Sequence, residues 1–242
     1  MPISAVFRLI FGLMVGAVVP LAAAAVPAHI LFIGRADVPH GSADVLVVAH
    51  LQARGLQISV VDQPRDYGHA LADACHFSLV VISSSIRSRD FLPGFRDVRV
   101  PLLTWENDLL DDLRFTGRYK GQDFGEVAKE HYLWSVNAPH PLSAHQPSGM
   151  ITMYDRDQSM GWGKPGLGAT IVATLPGQPE KATIFGYERG ATMDYDFIAP
   201  ARRVFLPLDN DTFGQLNPAG LALFDAAIDW SLHDAQGCSA AP

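Results

Sequence analysis

The chain is short of cysteine, of clustered positive charge and of long apolar runs, and each shortage narrows what it can be. With 2 cysteines in 242 residues, it has neither a disulfide framework nor a Cys-x-x-Cys unit of the redox or zinc-binding kind. No run of basic residues occurs and the formal net charge is -7. A phosphate polymer would find no positive track to follow, which argues against nucleic acid as a partner. The one sustained apolar run, Leu9 to Leu21, falls short of the ~20 residues a membrane-spanning helix needs.

That run has another reading. Arg8 precedes it and the small residues Ala22 to Ala25 follow it, the three-part layout of a secretory signal. The expectation is a signal peptide over residues 1–25, cleaved near Ala25, and a periplasmic or secreted protein with no membrane attachment afterwards. No cysteine follows the run to carry a lipid. Residues 26–242 are then the size of a single α/β domain with a core of its own. Loss of Arg8 makes the balance one unit more negative, which suits a neutral or cationic ligand or a polysaccharide. Cys75 and Cys238 both fall in this part, where an oxidising compartment permits them to pair as a disulfide fixing the tail. Two unpaired thiols remain the alternative, since pairing needs Cα atoms within about 7 Å.

Three apolar runs stop abruptly in polar residues: Val80-Val81-Ile82 at Ser83-Ser84-Ser85, Leu102-Leu103-Thr104 at Trp105-Glu106-Asn107, and Val204-Phe205-Leu206 ahead of Asp209-Asn210-Asp211. Parallel strands buried on both faces look like this, with their carboxyl ends opening into a binding crevice. His29 to Gly34, Leu56 to Val61, Phe77 to Ile82 and Val100 to Thr104 read as strands. Helices are expected from an N-cap at Ser42 to Gly55 and over His69 to Ala74. The order β-α-β-α-β predicts right-handed parallel crossovers and an α/β, flavodoxin-like, doubly wound, mostly parallel sheet.

After Val100 to Thr104 an acidic helix is expected over Asp108 to Leu113, then a polar loop over Gly117 to Gly125 and a strand over His131 to Val136. Alternation over Ala169 to Leu175 and Ala182 to Tyr187, around Pro176-Gly177-Gln178-Pro179, predicts an antiparallel hairpin extending the sheet. The chain closes with a strand over Arg203 to Leu208 and a helix capped by Asn217, with Pro218 at its first position.

On the strand His29 to Gly34, the run Ser78 to Ser83, the segment Val136-Asn-Ala-Pro-His140-Pro-Leu142 and the closing Arg203 to Trp230 unit, the chain resembles the ThuA-like branch of the class I glutamine-amidotransferase-like superfamily. The amidotransferases place a cysteine at a strand-to-helix elbow. Here Trp105-Glu106-Asn107 offers neither Cys nor flanking Gly, as is the case in ThuA-like proteins. The resemblance implies a link to carbohydrate metabolism without a settled reaction.

Several residues are candidates for chemistry. Glu106 at a buried strand end is placed to lose solvation, raise its pKa and exchange protons near neutrality, or simply to cap the turn that follows. Trp105 stacks on a sugar or fills the core. Asp209 and Asn210 bind hydroxyls or form an Asx-type turn. Ser83 and Ser84 lack the Gly-x-Ser-x-Gly frame of a nucleophile and read as ligand donors. His140 is a candidate acid or base. His131, His140 and His145 lack zinc-site spacing. Gly161 to Gly168 lacks the Lys-Ser/Thr ending of a phosphate loop and reads as a surface loop with an exposed Trp162. No metal or cofactor is expected. The composite expectation is an exported domain that binds or processes a carbohydrate or polyol, with catalysis left open and Glu106 or His140 its agents. The alternative is a non-catalytic secreted module holding a polymer or partner protein. Oligomeric state leaves no trace in the sequence.

Overall fold

The computed structural model describes residues 27–35, 43–62 and 64–234; the expected signal segment, the Ser42 cap and Cys238 lie outside them. β1 (His29–Ile33) leads through α1 (Ala43–Ala53) to β2 (Gln57–Val61), and through α2 (Tyr67–Asp73) to β3 (Leu79–Ile82) and β4 (Leu102–Thr104). An antiparallel excursion follows, comprising β5 (Phe124–Glu130), β6 (Tyr132–Ser135), β7 (Gly149–Thr152), β8 (Gln158–Gly163), β9 (Thr170–Leu175) and β10 (Gln178–Tyr187). The chain then returns through β11 (Arg203–Phe205) and α3 (Pro218–Leu232).

All strands belong to one 11-stranded sheet of order β2-β1-β3-β4-β11-β10-β9-β6-β7, with β8 branching from β10 to β5. β2, β1, β3, β4 and β11 run parallel, and β10 turns the direction against β11. The sheet is therefore mixed rather than mostly parallel, and its antiparallel part is far larger than the hairpin expected. The acidic helix over Asp108 to Leu113 is replaced by one 3₁₀ turn at Asn107–Leu109 and non-helical turns.

Strand alternation divides the core into two layers. Ile30, Phe32, Val81, Leu103 and Val204 face α1 and α3. Leu31, Ile33, Val80, Leu102 and Phe205 face α2 and the 3₁₀ turns. α3 starts as its sequence dictates: Asn217 Oδ1 accepts the Gly220 N–H at 2.9 Å, and Pro218 occupies the first turn, where no N–H is missed. The β9–β10 turn has Gly177 at φ 71°, a left-handed position that a side chain resists.

Gly220 gives a test of packing against propensity. Helix propensity alone favours Ala over Gly by about 1 kcal/mol, but a Cβ here would lie 2.5 Å from the Met153 carbonyl oxygen and 2.8 Å from Leu216 Cδ2. Gly220→Ala is predicted to lower stability by about 1–3 kcal/mol, measured by urea denaturation; a stabilised variant would contradict this packing.

Candidate functional site at the carboxyl-end rim

β3, β4 and β11 are neighbours in the sheet, so the residues that follow them share one rim. There Ser84, Trp105, Glu106, Asp209 and Asn210 line a cavity of about 140 Å³, closed from the antiparallel side by Glu126 of β5 and Gly161 of β8. Of the expected site residues, Ser84, Trp105, Glu106, Asp209 and Asn210 thus share one cavity.

Glu106 is the second residue after β4, is 7% exposed, and its Oε1 accepts the Asp108 N–H at 2.8 Å. The capping role and the buried carboxyl are therefore both present. Burial pushes its pKa up to about 8; the Asp108 N–H opposes this, Asp108 and Asp209 add to it, and Lys120 counters it. Lys120 is bound to Asp108 at 2.6 Å, which leaves Glu106 without a direct cationic partner among the described residues. A pKa raised into this range favours the protonated, proton-donating form near neutrality and leaves the carboxylate within reach as a base.

The other candidates divide. Ser84 presents a buried hydroxyl with no hydrogen-bond partner among the described residues. Asp209 lines the cavity but also closes a turn, its Oδ1 accepting the Asn210 N–H at 2.7 Å and its own N–H donating to Thr212 Oγ1 at 2.8 Å. Asn210 is exposed at the mouth. Trp105 is 3% exposed, with its ring between Phe32 and Phe224; of its two readings, sugar stacking and core filling, the second fits. Ser83 turns from the cavity and donates to Asp44 Oδ1 at 2.6 Å.

Asp44 organises the neighbouring strand ends, because its buried carboxylate also accepts from the Ser85 hydroxyl and from the Arg35 N–H at 2.7 Å. Asp44→Ala strands these donors and is predicted to cost about 2–4 kcal/mol in unfolding free energy. A chemical denaturation midpoint matching the parent would remove Ser83 from its structural role.

His140 does not reach this rim. It lines a separate groove of about 800 Å³ with Trp230, Arg202 and His145, its Nδ1 accepts the Leu142 N–H at 3.2 Å, and burial lowers its pKa. Trp162, expected exposed on a loop, is 4% exposed within β8. Sequence reasoning missed Glu126, Asp108 and Lys120, whose strand or turn gave no strong period. Among the described residues there is no free cysteine, no group of three or more His, Cys, Asp or Glu able to hold a metal, and no helix long and apolar enough to cross a membrane.

The fold and rim define an α/β protein whose parallel strands end in a small acidic pocket built around a buried carboxyl. Its fold is that of ThuA-like proteins: a crystal structure from Bacteroides uniformis ATCC 8492 described as ThuA-like superposes with a TM-score of 0.55, covering 90% of this chain and 97% of that one at 7% sequence identity. No protein-family model and no curated protein matches the chain.

Proposed function

We propose that the protein is exported after loss of residues 1–25, folds as one domain whose parallel half is flavodoxin-like, and binds or processes a carbohydrate or polyol at the rim, with Glu106 as general acid/base. The observation that carries this reading is the Glu106 carboxyl, buried beside Asp209 and the partnerless Ser84 hydroxyl. Such a group suits proton exchange with a hydroxyl-bearing ligand, and an acidic cavity of this size admits one edge of a sugar rather than an anion. The parallel order β2-β1-β3-β4-β11 is the order of flavodoxin-like sheets, whose ligands sit at the carboxyl ends of the strands. Pairing of Cys75 with Cys238 belongs to the same proposal and is tested by protein mass before and after reduction.

A second reading, a non-catalytic secreted module, is favoured by the separation of His140 from the rim and by the engagement of Asp209 in a turn. Thermal shift against a panel of monosaccharides and polyols, followed by affinity and turnover of Glu106→Gln, decides between them. A catalyst loses roughly 100-fold or more in turnover with its affinity nearly kept. A module shows no turnover in either form, and a panel without any shift sinks the rim as a sugar site.

A further inference from the structure

A larger cleft lies on the other side of the segment that follows Glu106. Asn107 and Asp108 line the rim cavity, whereas Asp111 to Asp123 form one wall of a cleft of about 580 Å³, closed opposite by Asp194 and Tyr195. Two tyrosines stand at its margins with their rings in solvent, Tyr119 at 60% and Tyr195 at 85% exposure. The backbone there is strained: Tyr195 has φ 56° and Arg114, facing it, φ 64°. Left-handed conformations in bulky residues cost of order 1–3 kcal/mol and persist where the surroundings impose them. The Asp194 N–H donates to the Arg114 carbonyl at 3.0 Å, and the Arg114 guanidinium lies 3.4 Å from the Asp194 carboxylate. Stability alone favours Gly or Asn at position 195.

We infer that this cleft is a binding site for neutral oligosaccharides, with Tyr119 and Tyr195 as stacking platforms. A tyrosine ring offers an apolar face to the C–H bonds of a pyranose and a hydroxyl at its tip. Guanidinium forks and carboxylates bind hydroxyl groups side by side. Charge sets the choice of ligand. Arg96, Arg114 and Arg118 stand against Asp111, Asp112, Asp123 and Asp194, so a polyanion meets carboxylates, a polycation meets guanidinium groups, and a neutral polyhydroxyl chain meets neither penalty. The volume falls within the usual ~300–1,000 Å³ of ligand clefts. The inference shares its ligand class with the Glu106 reading but stands on different residues.

The test is titration of the full-length protein, carrying labelled tyrosine, with maltotriose, cellotriose and chitotriose to about 10 mM, roughly tenfold above a 1 mM Kd. Tyr195→Asn is the matched variant, because asparagine accepts the left-handed backbone while removing the ring. The expected result is that at least one trisaccharide shifts the Tyr119 and Tyr195 ring signals. Tyr195→Asn then weakens its binding about tenfold with an unchanged or higher melting temperature. A trisaccharide that binds without moving either ring, with affinity kept in Tyr195→Asn, overturns the cleft while keeping the rim. No binding by any of the three also overturns it, and leaves the rim to be judged by its own ligands.

Discussion

Arg203→Met is expected to lower the unfolding free energy by about 2–5 kcal/mol, among the largest effects available to a single substitution in this protein. Among the described residues Arg203 is the largest fully buried side chain, and no carboxylate there pairs with it. Backbone carbonyls take that place: Nη1 donates to Val100, Ala201 and Arg202 at 3.0–3.3 Å, and Nη2 to Arg96 at 3.1 Å and Val98 at 2.6 Å. One planar fork thus ties the approach to β4 to the approach to β11, and removing it takes a donor from five backbone carbonyls, of which that of Arg202 keeps the Leu102 N–H at 3.0 Å. Part of that loss is offset because methionine buries no charge. Arg203→Lys is predicted to fare no better, since it keeps the charge and loses the fork. Urea denaturation of both variants checks this, and a change below about 0.5 kcal/mol in either would contradict the clamp.

Glu106→Gln is expected to raise stability above neutrality. A carboxyl whose pKa stands at about 8 when folded, against 4.5 as its ordinary value, binds its proton more tightly in the native state. Between those values the unfolded chain releases the proton and the native protein keeps it, so wild-type stability is fully present below pH 4.5 and falls as pH rises to about 8. Glutamine has no proton to lose and keeps an acceptor for the Asp108 N–H. The two proteins should therefore match near pH 4 and diverge to roughly 3–5 kcal/mol in favour of the variant at pH 9. Denaturation series at both pH values measure the gap, and parallel profiles would mean that Glu106 ionises as an ordinary surface carboxylate.

Much of the fold was legible because its central parts follow simple periods. β1, β3 and β4 are apolar runs that end where their polar rims begin, and α3 carries its own start signal in Asn217 and Pro218. Of the antiparallel strands, β6, β9 and β10 were legible, whereas β5, β7 and β8 escaped, β5 and β8 for a physical reason. β8 reads Gln-Ser-Met-Gly-Trp-Gly, a composition of loops, yet its glycines are strand residues pressed by large neighbours: a Cβ at Gly161 would lie 3.0 Å from Phe205 Cζ, and one at Gly163 3.0 Å from both Leu110 Cδ1 and Thr116 Cγ2. No local pattern separates such glycines from those of a loop. β5 was hidden by a register shift between Val127 and Glu130, which breaks the alternation that marks a strand.

The rim was legible in outline. Glu106, Ser84 and Asp209 came from strand ends that the sheet makes adjacent. His140 and Trp105 could not be resolved this way. Which groove a histidine lines depends on where the excursion after β4 returns, and whether a tryptophan faces ligand or core depends on α3, whose Phe224 packs against it.

The proposed acid/base role needs a Glu106 carboxyl that keeps its proton at neutral pH, and the most direct measurement is its carboxyl-carbon NMR titration, assigned by comparison with Glu106→Gln. The predicted midpoint lies near pH 8. A midpoint at about 4.5, the ordinary glutamate range, would contradict it and take the proposed acid/base role with it.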